Sequence, residues 1–260
     1  MLSIIILAII QALTEFIPVS SSGHLLVAEE LTSLSSSLSL DVALHFGTLL
    51  ALLVYFAPRL RDIIGDLKAS KKLIVNLILT SVPAAVIGFF FEDIFMQDAR
   101  TLGVVIVMMA TVGFMMLFSE SPVFKVNKRI KKIEQIKPVN AYAIGLGQAL
   151  ALIPGTSRSG ITMLAAKKTG LGNKLAAEYS FLAGIPVIAG ASLKVFLDPD
   201  MNSVLFDDFW KVLVGVLVAF IVGLFALRFL IRYLSSNGLR AFGWYRLALA
   251  VVLFIIWVNQ

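Results

Sequence analysis

Eight uncharged, apolar stretches alternate with short charged connections along the chain, at 1–14, 42–57, 73–91, 101–119, 138–157, 179–193, 212–227 and 247–260. A helix rising about 1.5 Å per residue needs about 20 residues to cross about 30 Å of hydrocarbon. The stretches at 73–91 and 101–119 nearly meet that length, and the others draw in polar flanking residues. The first and fifth differ: they run straight into P-V-S-S-S-G at 18–23 and P-G-T-S-R-S-G at 154–160. A helix breaker with unpaired backbone groups is tolerated at membrane depth only where protein buries it or a watery cavity adjoins it. These two stretches are therefore predicted to be re-entrant helix–loop–helix hairpins, entering and leaving on one side. The pattern predicts an all-α integral membrane protein of six transmembrane helices plus two re-entrant hairpins.

Composition sharpens this picture. The 260 residues are 59% hydrophobic and 15% charged, with a mean hydropathy of +0.94. Soluble chains run nearer a quarter charged, so a soluble enzyme, a disordered chain and a nucleic-acid binder are all excluded, despite a net charge of +6. No cysteine is present, which removes disulfides and thiolate chemistry, and two histidines give poor support for zinc. The N-terminus lacks the basic flank of a signal peptide, so no cleavage is expected.

Charge placement gives orientation. Of the lysines and arginines, all but Arg100, Arg158, Lys194 and Lys211 fall in basic groups at 59–72, 125–137, 167–174 and 228–246. Acidic residues dominate three other connections: Glu29, Glu30 and Asp41; Glu92, Asp93 and Asp98; and Asp198, Asp200, Asp207 and Asp208. The positive-inside rule puts the basic connections in the cytoplasm and the acidic ones outside. That alternation works only if 138–168 returns to the cytoplasmic side, as a hairpin does.

The two hairpins resemble each other at an offset of 137: Gln11-Ala12-Leu13 matches Gln148-Ala149-Leu150, and Ser20, Ser22 and Gly23 match Ser157, Ser159 and Gly160. Each half then holds one hairpin and three spans, an odd number of crossings, so the second half is inverted. The chain reads as one membrane domain, 1–260, with a first inverted repeat at 1–120, a basic cytoplasmic linker at 121–137 and a second repeat at 138–260. Such repeats bring their broken helices together near the midplane, where binding sites lie.

Charge inside a membrane segment costs roughly 2.5–3.5 kcal/mol on insertion scales, so it needs a purpose. Glu15 and Arg158 occupy the two hairpins and are expected to face one cavity, as a buried structural pair or as working groups. Ser20, Ser21 and Ser22 follow Pro18, and Thr156, Ser157, Ser159 and Thr162 surround Arg158. Hydroxyls and N–H groups at a helix start, with an arginine fork among them, suit a phosphate. His24 offers a nucleophile or a base. Glu15 could orient His24 or share a divalent cation with phosphate oxygens, and Gln11, one turn before Glu15, could hold a phosphate oxygen or a metal-bound water. His45, with Asp41 one turn earlier, reads as structural.

Q-A-L-T-E-F-I-P-V-S-S-S-G-H (11–24) and P-G-T-S-R-S-G-I-T (154–162) resemble the two signature stretches of the bacterial undecaprenyl-diphosphate phosphatases, also called bacitracin-resistance proteins. L-H-F-G-T-L-L-A at 44–51 and I-P-V-I-A-G-A at 185–191 extend the likeness over essentially the whole chain. The resemblance implies a multi-pass enzyme of the bacterial cytoplasmic membrane that hydrolyses undecaprenyl diphosphate to undecaprenyl phosphate and phosphate, recycling the carrier for peptidoglycan synthesis. It also implies a divalent cation (Mg²⁺ or Ca²⁺) and an active site open to the outer, periplasmic side. Carried over by position, the acidic motif falls on Gln11 and Glu15, its serines and histidine on Ser20, Ser21 and His24, and the phosphate-binding motif on Ser157, Arg158 and Thr162. Many members have Glu where this chain has Gln11, which leaves one firm carboxylate, Glu15, as metal ligand. Whether His24 or Ser21 attacks phosphorus stays open.

The expected catalytic residues are thus Glu15, Ser21, His24 and Arg158, with Gln11, Ser20, Ser22, Ser157, Ser159 and Thr162 binding substrate. Membrane lipids and a polyprenyl diphosphate are the expected partners; a homodimer is a candidate assembly. The rival reading is an inverted-repeat transporter or flippase for an anion or lipid phosphate, since broken helices and inverted repeats also serve transport.

Overall fold

The structure, a computed structural model, describes residues 1–31, 38–91, 95, 99–121, 130–198 and 208–259. Several residues used to assign orientation (Glu92, Asp93, Asp98, Lys125, Lys128, Arg129, Asp200 and Asp207) lie outside that set, as do residues 122–129 of the expected linker.

The described chain is helical throughout: α1 (Leu2–Phe16), α2 (Ser21–Leu31), α3 (Leu38–Tyr55), α4 (Ala57–Gly65), α5 (Leu67–Phe90), α6 (Leu102–Leu117), α7 (Pro138–Ala149), α8 (Arg158–Lys168), α9 (Asn173–Leu197), α10 (Phe209–Ser236) and α11 (Arg240–Val258). Among the described residues the β contacts amount to one isolated bridge, Ile130 with Leu171. By length and composition α5, α9, α10 and α11 qualify as membrane spans, and α3 with α4 makes a fifth if that pair, bent by 66°, counts as one. The sixth expected span, α6, has 16 residues and reaches only about 24 Å. Thr101 caps its start by accepting from the Val104 N–H, and the chain turns beyond Phe118 so that Glu120 pairs with Lys167. Length and composition alone therefore do not yield the count of six.

Lipid is the solvent that explains the surface. On α10, Leu217, Ile221, Phe225 and Phe229, spaced four apart, are all exposed, while Gly215, Ala219, Gly223 and Ala226 are buried. A water-soluble helix would turn these faces the other way; in a bilayer, small residues face the protein so that backbones approach closely. Gly113 on α6 and Gly243 on α11 form such a seam, each lying where an added Cβ would meet the other's carbonyl oxygen at about 3 Å. Buried polar groups tie helices together: Thr80 on α5 hydrogen-bonds the Tyr179 hydroxyl of α9 at 2.7 Å, and Asn76 donates to the Ile136 carbonyl at 2.9 Å.

Helix pairings recur in the two halves. α5 packs on α7 as α10 packs on α1, and α3 packs on α10 as α9 packs on α5. The two breaks match in detail. Ile17 and Ile153, each just before a proline, are extended, with ψ of 129° and 121°, as the proline ring requires of its predecessor. Ser20 and Ser157 both adopt positive φ, 78° and 72°. Their hydroxyls accept from the N–H of Gly23 and Gly160 at 3.3 and 3.2 Å and pair with the Ser22 and Ser159 hydroxyls at 3.4 and 3.3 Å.

Candidate active site

Where the two breaks meet, a chamber of about 280 Å³ opens. Its polar wall comes from Thr14 and Glu15 on α1, Ser20, Ser21 and Ser22 at the first break, Ser157 and Arg158 at the second, Asp41 and His45 on α3, and Arg100; Leu25, Val105, Val187 and Ile188 are among its apolar neighbours. The loops touch each other, the Gly155 N–H reaching the Ser22 hydroxyl at 3.5 Å. Helices α2 and α8 both begin at this chamber, so the first-turn N–H groups that the Ser20 and Ser157 hydroxyls leave uncapped favour an anion there.

Glu15 is the hub. It is buried at 7% exposure near the end of α1. Its Oε1 accepts from Arg158 Nη2 at 2.7 Å; its Oε2 accepts from the Ser21 hydroxyl at 2.9 Å and from Gln11 Nε2 at 3.4 Å, and faces His45 Nε2 at 3.3 Å. Arg158 Nη1 also donates to the Ser180 carbonyl at 3.2 Å, and the fork packs against Gly184, where a Cβ would fall 2.6 Å from Cζ. The arginine is thus aimed from three sides. Ser21, hydrogen-bonded to a carboxylate and facing the chamber, has the arrangement of a nucleophile with its base.

His24 does not join them. Its Nδ1 lies 2.7 Å from the Ser20 carbonyl and its Nε2 2.7 Å from the Tyr245 hydroxyl on α11. A carbonyl only accepts, so Nδ1 carries the proton and the Tyr245 O–H donates to Nε2. The ring is satisfied as a neutral imidazole, and it is absent from the chamber's lining. His24 thus stands apart from Arg158 and ties the first turn of α2 to α11. Three expected substrate contacts also fall behind the wall. Gln11 is fully buried one turn up α1, Ser159 is buried and points round α8 from Arg158, and Thr162 is buried one turn deeper. Conversely His45, read as structural, lies on the wall with Asp41, whose carboxylate binds Arg100 at 3.1 Å. Residues from connections and a mid-chain helix carry no local signal of such convergence.

Beside Tyr245, Arg246 is fully buried. It donates to the carbonyls of Gly155 (2.7 Å), Met108 (3.2 Å) and Met109 (3.3 Å). Neighbouring residues of α11 thus reach the start of α2 and the second break. Gly155, at φ 87°, rests on α6, where a Cβ would meet Val105 backbone atoms at 2.7 Å.

The donor set does not fit a cation held by the protein alone. Both Glu15 oxygens are engaged, Gln11 adds no charge, and among the described residues no three His, Cys, Asp or Glu side chains gather as a ligand cluster.

Two broken helices converging on a serine–carboxylate–arginine chamber inside a lipid-facing helical bundle define a membrane protein that handles an anionic, phosphate-like group. The chain belongs to the bacitracin resistance protein BacA family, whose model matches residues 4–252. Its relatives include the undecaprenyl-diphosphatase of Thermodesulfovibrio yellowstonii, 38% identical over 256 residues covering 97% of this chain and 96% of that one. That of Halothermothrix orenii is 36% identical over 255 residues, with 97% and 96% covered. That of Rubrobacter xylanophilus is 38% identical over 266 residues, again with 97% and 96% covered.

Proposed function

We propose that this chain is an undecaprenyl-diphosphate phosphatase: it hydrolyses undecaprenyl diphosphate to undecaprenyl phosphate and phosphate, which recycles the lipid carrier and confers bacitracin resistance. Family membership and the names of its relatives support the reaction. The observation that carries the mechanism is the convergence of Ser21 and Arg158 on the two oxygens of Glu15, at 2.9 and 2.7 Å.

The terminal phosphoryl group enters between the loops, where Arg158 and the first-turn N–H groups of α2 and α8 stabilise the charge that spreads over its oxygens. Ser21 Oγ attacks phosphorus as its proton passes to Glu15 Oε2, and the bond to the lipid-linked phosphate breaks. That leaving group is a phosphate monoester with a second pKa of about 6, so it departs without strong acid catalysis. Glu15 gives that proton up to solvent; water then attacks the phosphoserine as its own proton passes to the regenerated Glu15 carboxylate, and phosphate leaves as Ser21 takes that proton from Glu15. Ser21 rather than His24 is the nucleophile because the Nε2 lone pair of His24 is taken by Tyr245. We assign the divalent cation, Mg²⁺ or Ca²⁺, to the substrate, whose diphosphate oxygens would supply the hard oxygen ligands that such cations take.

In this reading the bundle has six spans and two re-entrant hairpins arranged as inverted repeats of 1–120 and 138–260 in the bacterial cytoplasmic membrane. The recurring pairings and matched breaks support the repeat. The chamber faces the periplasm, since Asp41 and Arg100 on its wall come from the acidic connections. A transporter or flippase is not favoured, because transport needs no serine hydrogen-bonded to a carboxylate.

Phosphate release by the purified chain in detergent, without any gradient, tests the reading. Hydrolysis that is lost in Ser21→Ala is the expected result; no hydrolysis by the folded wild-type chain with cation and substrate present would sink it.

A further inference from the structure

His45 lies on α3, outside both breaks, and the mechanism above makes no use of it. Its ring is held between two acceptors: Nδ1 is 2.9 Å from the Asp41 carbonyl, and Nε2 is 3.3 Å from Glu15 Oε2. A neutral imidazole has a single N–H. Two acceptors therefore require a proton on Nδ1 and another between Nε2 and the Glu15 carboxylate. His24 contrasts with this, since its second nitrogen faces a hydroxyl able to donate.

The carboxylate torsion of a glutamate is broad, so partners, not rotamer preference, set the plane of Glu15. Arg158 fixes Oε1. Oε2 is left with the Ser21 hydroxyl, which must move during the reaction, the long Gln11 contact and His45. We propose that His45 is a positioning residue for this reaction, holding the Glu15 carboxylate in the plane that presents Oε2 to Ser21 while Oε1 stays with Arg158. The charged groups facing this pair are Arg158, from α8, and Asp41, one turn before His45 and itself bound to Arg100. The inference rests on the reading of Ser21 as nucleophile and Glu15 as its base.

The bland alternative is that His45 serves α3 alone, through the bond from Nδ1 to the carbonyl one turn back. Two substitutions separate the roles. The amide nitrogen of glutamine falls near Nε2 and keeps a donor for Glu15; that of asparagine falls near Nδ1 and keeps only the bond to Asp41. The kcat and KM of phosphate release would be measured for the purified full chain in detergent, with thermal unfolding as the check on folding. His45→Asn is expected to lower kcat by about 10–100-fold, the range of a displaced general base, with KM within about twofold, since ground-state binding is untouched. His45→Gln is expected to retain most of the wild-type kcat. Asparagine as active as glutamine, or glutamine as impaired as asparagine, overturns the proposal. Ser21→Ala is the reference: if it still turns over, the underlying reading fails instead, whatever the His45 variants do. Should His45→Asn fail to fold, His45→Leu replaces it, and wild-type kcat in a folded leucine variant overturns the proposal equally.

Discussion

Gly184 offers the sharpest test of whether the aim of Arg158 matters, because it carries no chemistry of its own. A Cβ at this position would lie 2.6 Å from Arg158 Cζ and 3.1 Å from Nη2, with Nη1 closer still, whereas ordinary contact begins near 3.4 Å. Gly184→Ala therefore forces Cζ back by about 0.8 Å and Nη1 by more. Movement towards Glu15 is blocked, since Nη2 already sits 2.7 Å from Oε1. The fork must swing aside, which breaks the 3.2 Å bond to the Ser180 carbonyl and stretches the pair with Glu15. A misplacement of about 1 Å at a reacting centre costs about 100-fold in rate, close to 2.7 kcal/mol of transition-state stabilisation. The fold should tolerate the change. The displaced atoms end a flexible side chain, and alanine is favoured over glycine in a helix by about 1 kcal/mol. The expected outcome is an unchanged or raised unfolding midpoint in detergent with kcat/KM for undecaprenyl diphosphate down about 100-fold. A folded Gly184→Ala enzyme with wild-type kcat/KM would refute the claim that the helix surface at 184 aims the arginine.

Three further outcomes are expected. Acid quenching during turnover should trap a phosphoenzyme that is stable to acid and maps to Ser21; an acid-labile adduct on His24 would overturn the assignment of the nucleophile. Arg246→Met should leave the Gly155 carbonyl without its charged donor, costing about 1–3 kcal/mol of stability as a lower unfolding midpoint, and should slow turnover by shifting the loop that carries Ser157 and Arg158; no change in either quantity would remove its role in holding that loop. Mg²⁺ or Ca²⁺ titrated calorimetrically into substrate-free protein should show no tight site, and binding should appear only with diphosphate present; a stoichiometric site in the free protein would contradict a cation carried in by the substrate.

Glu15, Ser21 and Arg158 were legible in the sequence for a physical reason: charge and broken helix at membrane depth are costly enough to stand out against an apolar background. The two breaks were legible because proline and serine clusters interrupt apolar runs in only a few ways. The place of His24 was not legible because the serine triplet gives its ring only a backbone partner, the Ser20 carbonyl, while Tyr245 on the distant last helix takes the other nitrogen. Ser159 and Thr162 belong to the right motif, but Ser159 sits about 100° round the helix from Arg158 and Thr162 a turn deeper, which motif membership does not encode. His45 had no signal at all. A histidine in an apolar span looks the same whether it pairs with a helix carbonyl or with the carboxylate of a residue 30 positions earlier. The missing length of α6 was equally hidden, since 101–119 is uncharged throughout and only the turn that carries Glu120 to Lys167 ends the helix early.

The offset of 137 explains why two loops of like shape make one asymmetric site. It superposes Ser20 on Ser157, the two residues with matching positive φ and matching cap hydrogen bonds. It also superposes Thr14 on Ala151, Glu15 on Leu152 and Ser21 on Arg158, and all of these line the chamber. Each loop therefore delivers equivalent positions to the same cavity, and the chemistry lies in which residue occupies them. The first repeat supplies the carboxylate and the hydroxyl; at the same places the second supplies leucine and the guanidinium. A symmetric filling would put two carboxylates or two arginines face to face, and like charges at that range in a low-dielectric site repel strongly. The opposed pair neutralises itself at 2.7 Å, and an entering phosphoryl group finds an anion-binding fork on one wall and a serine with its base on the other. Tyr245 and Arg246, adjacent on α11, bind His24 in the first turn of α2 and Gly155 in the second break, so one helix contacts both halves of the site. Exchanging Glu15 with Leu152, or Ser21 with Arg158, while keeping both loops intact would preserve the fold's shape and lose the reaction.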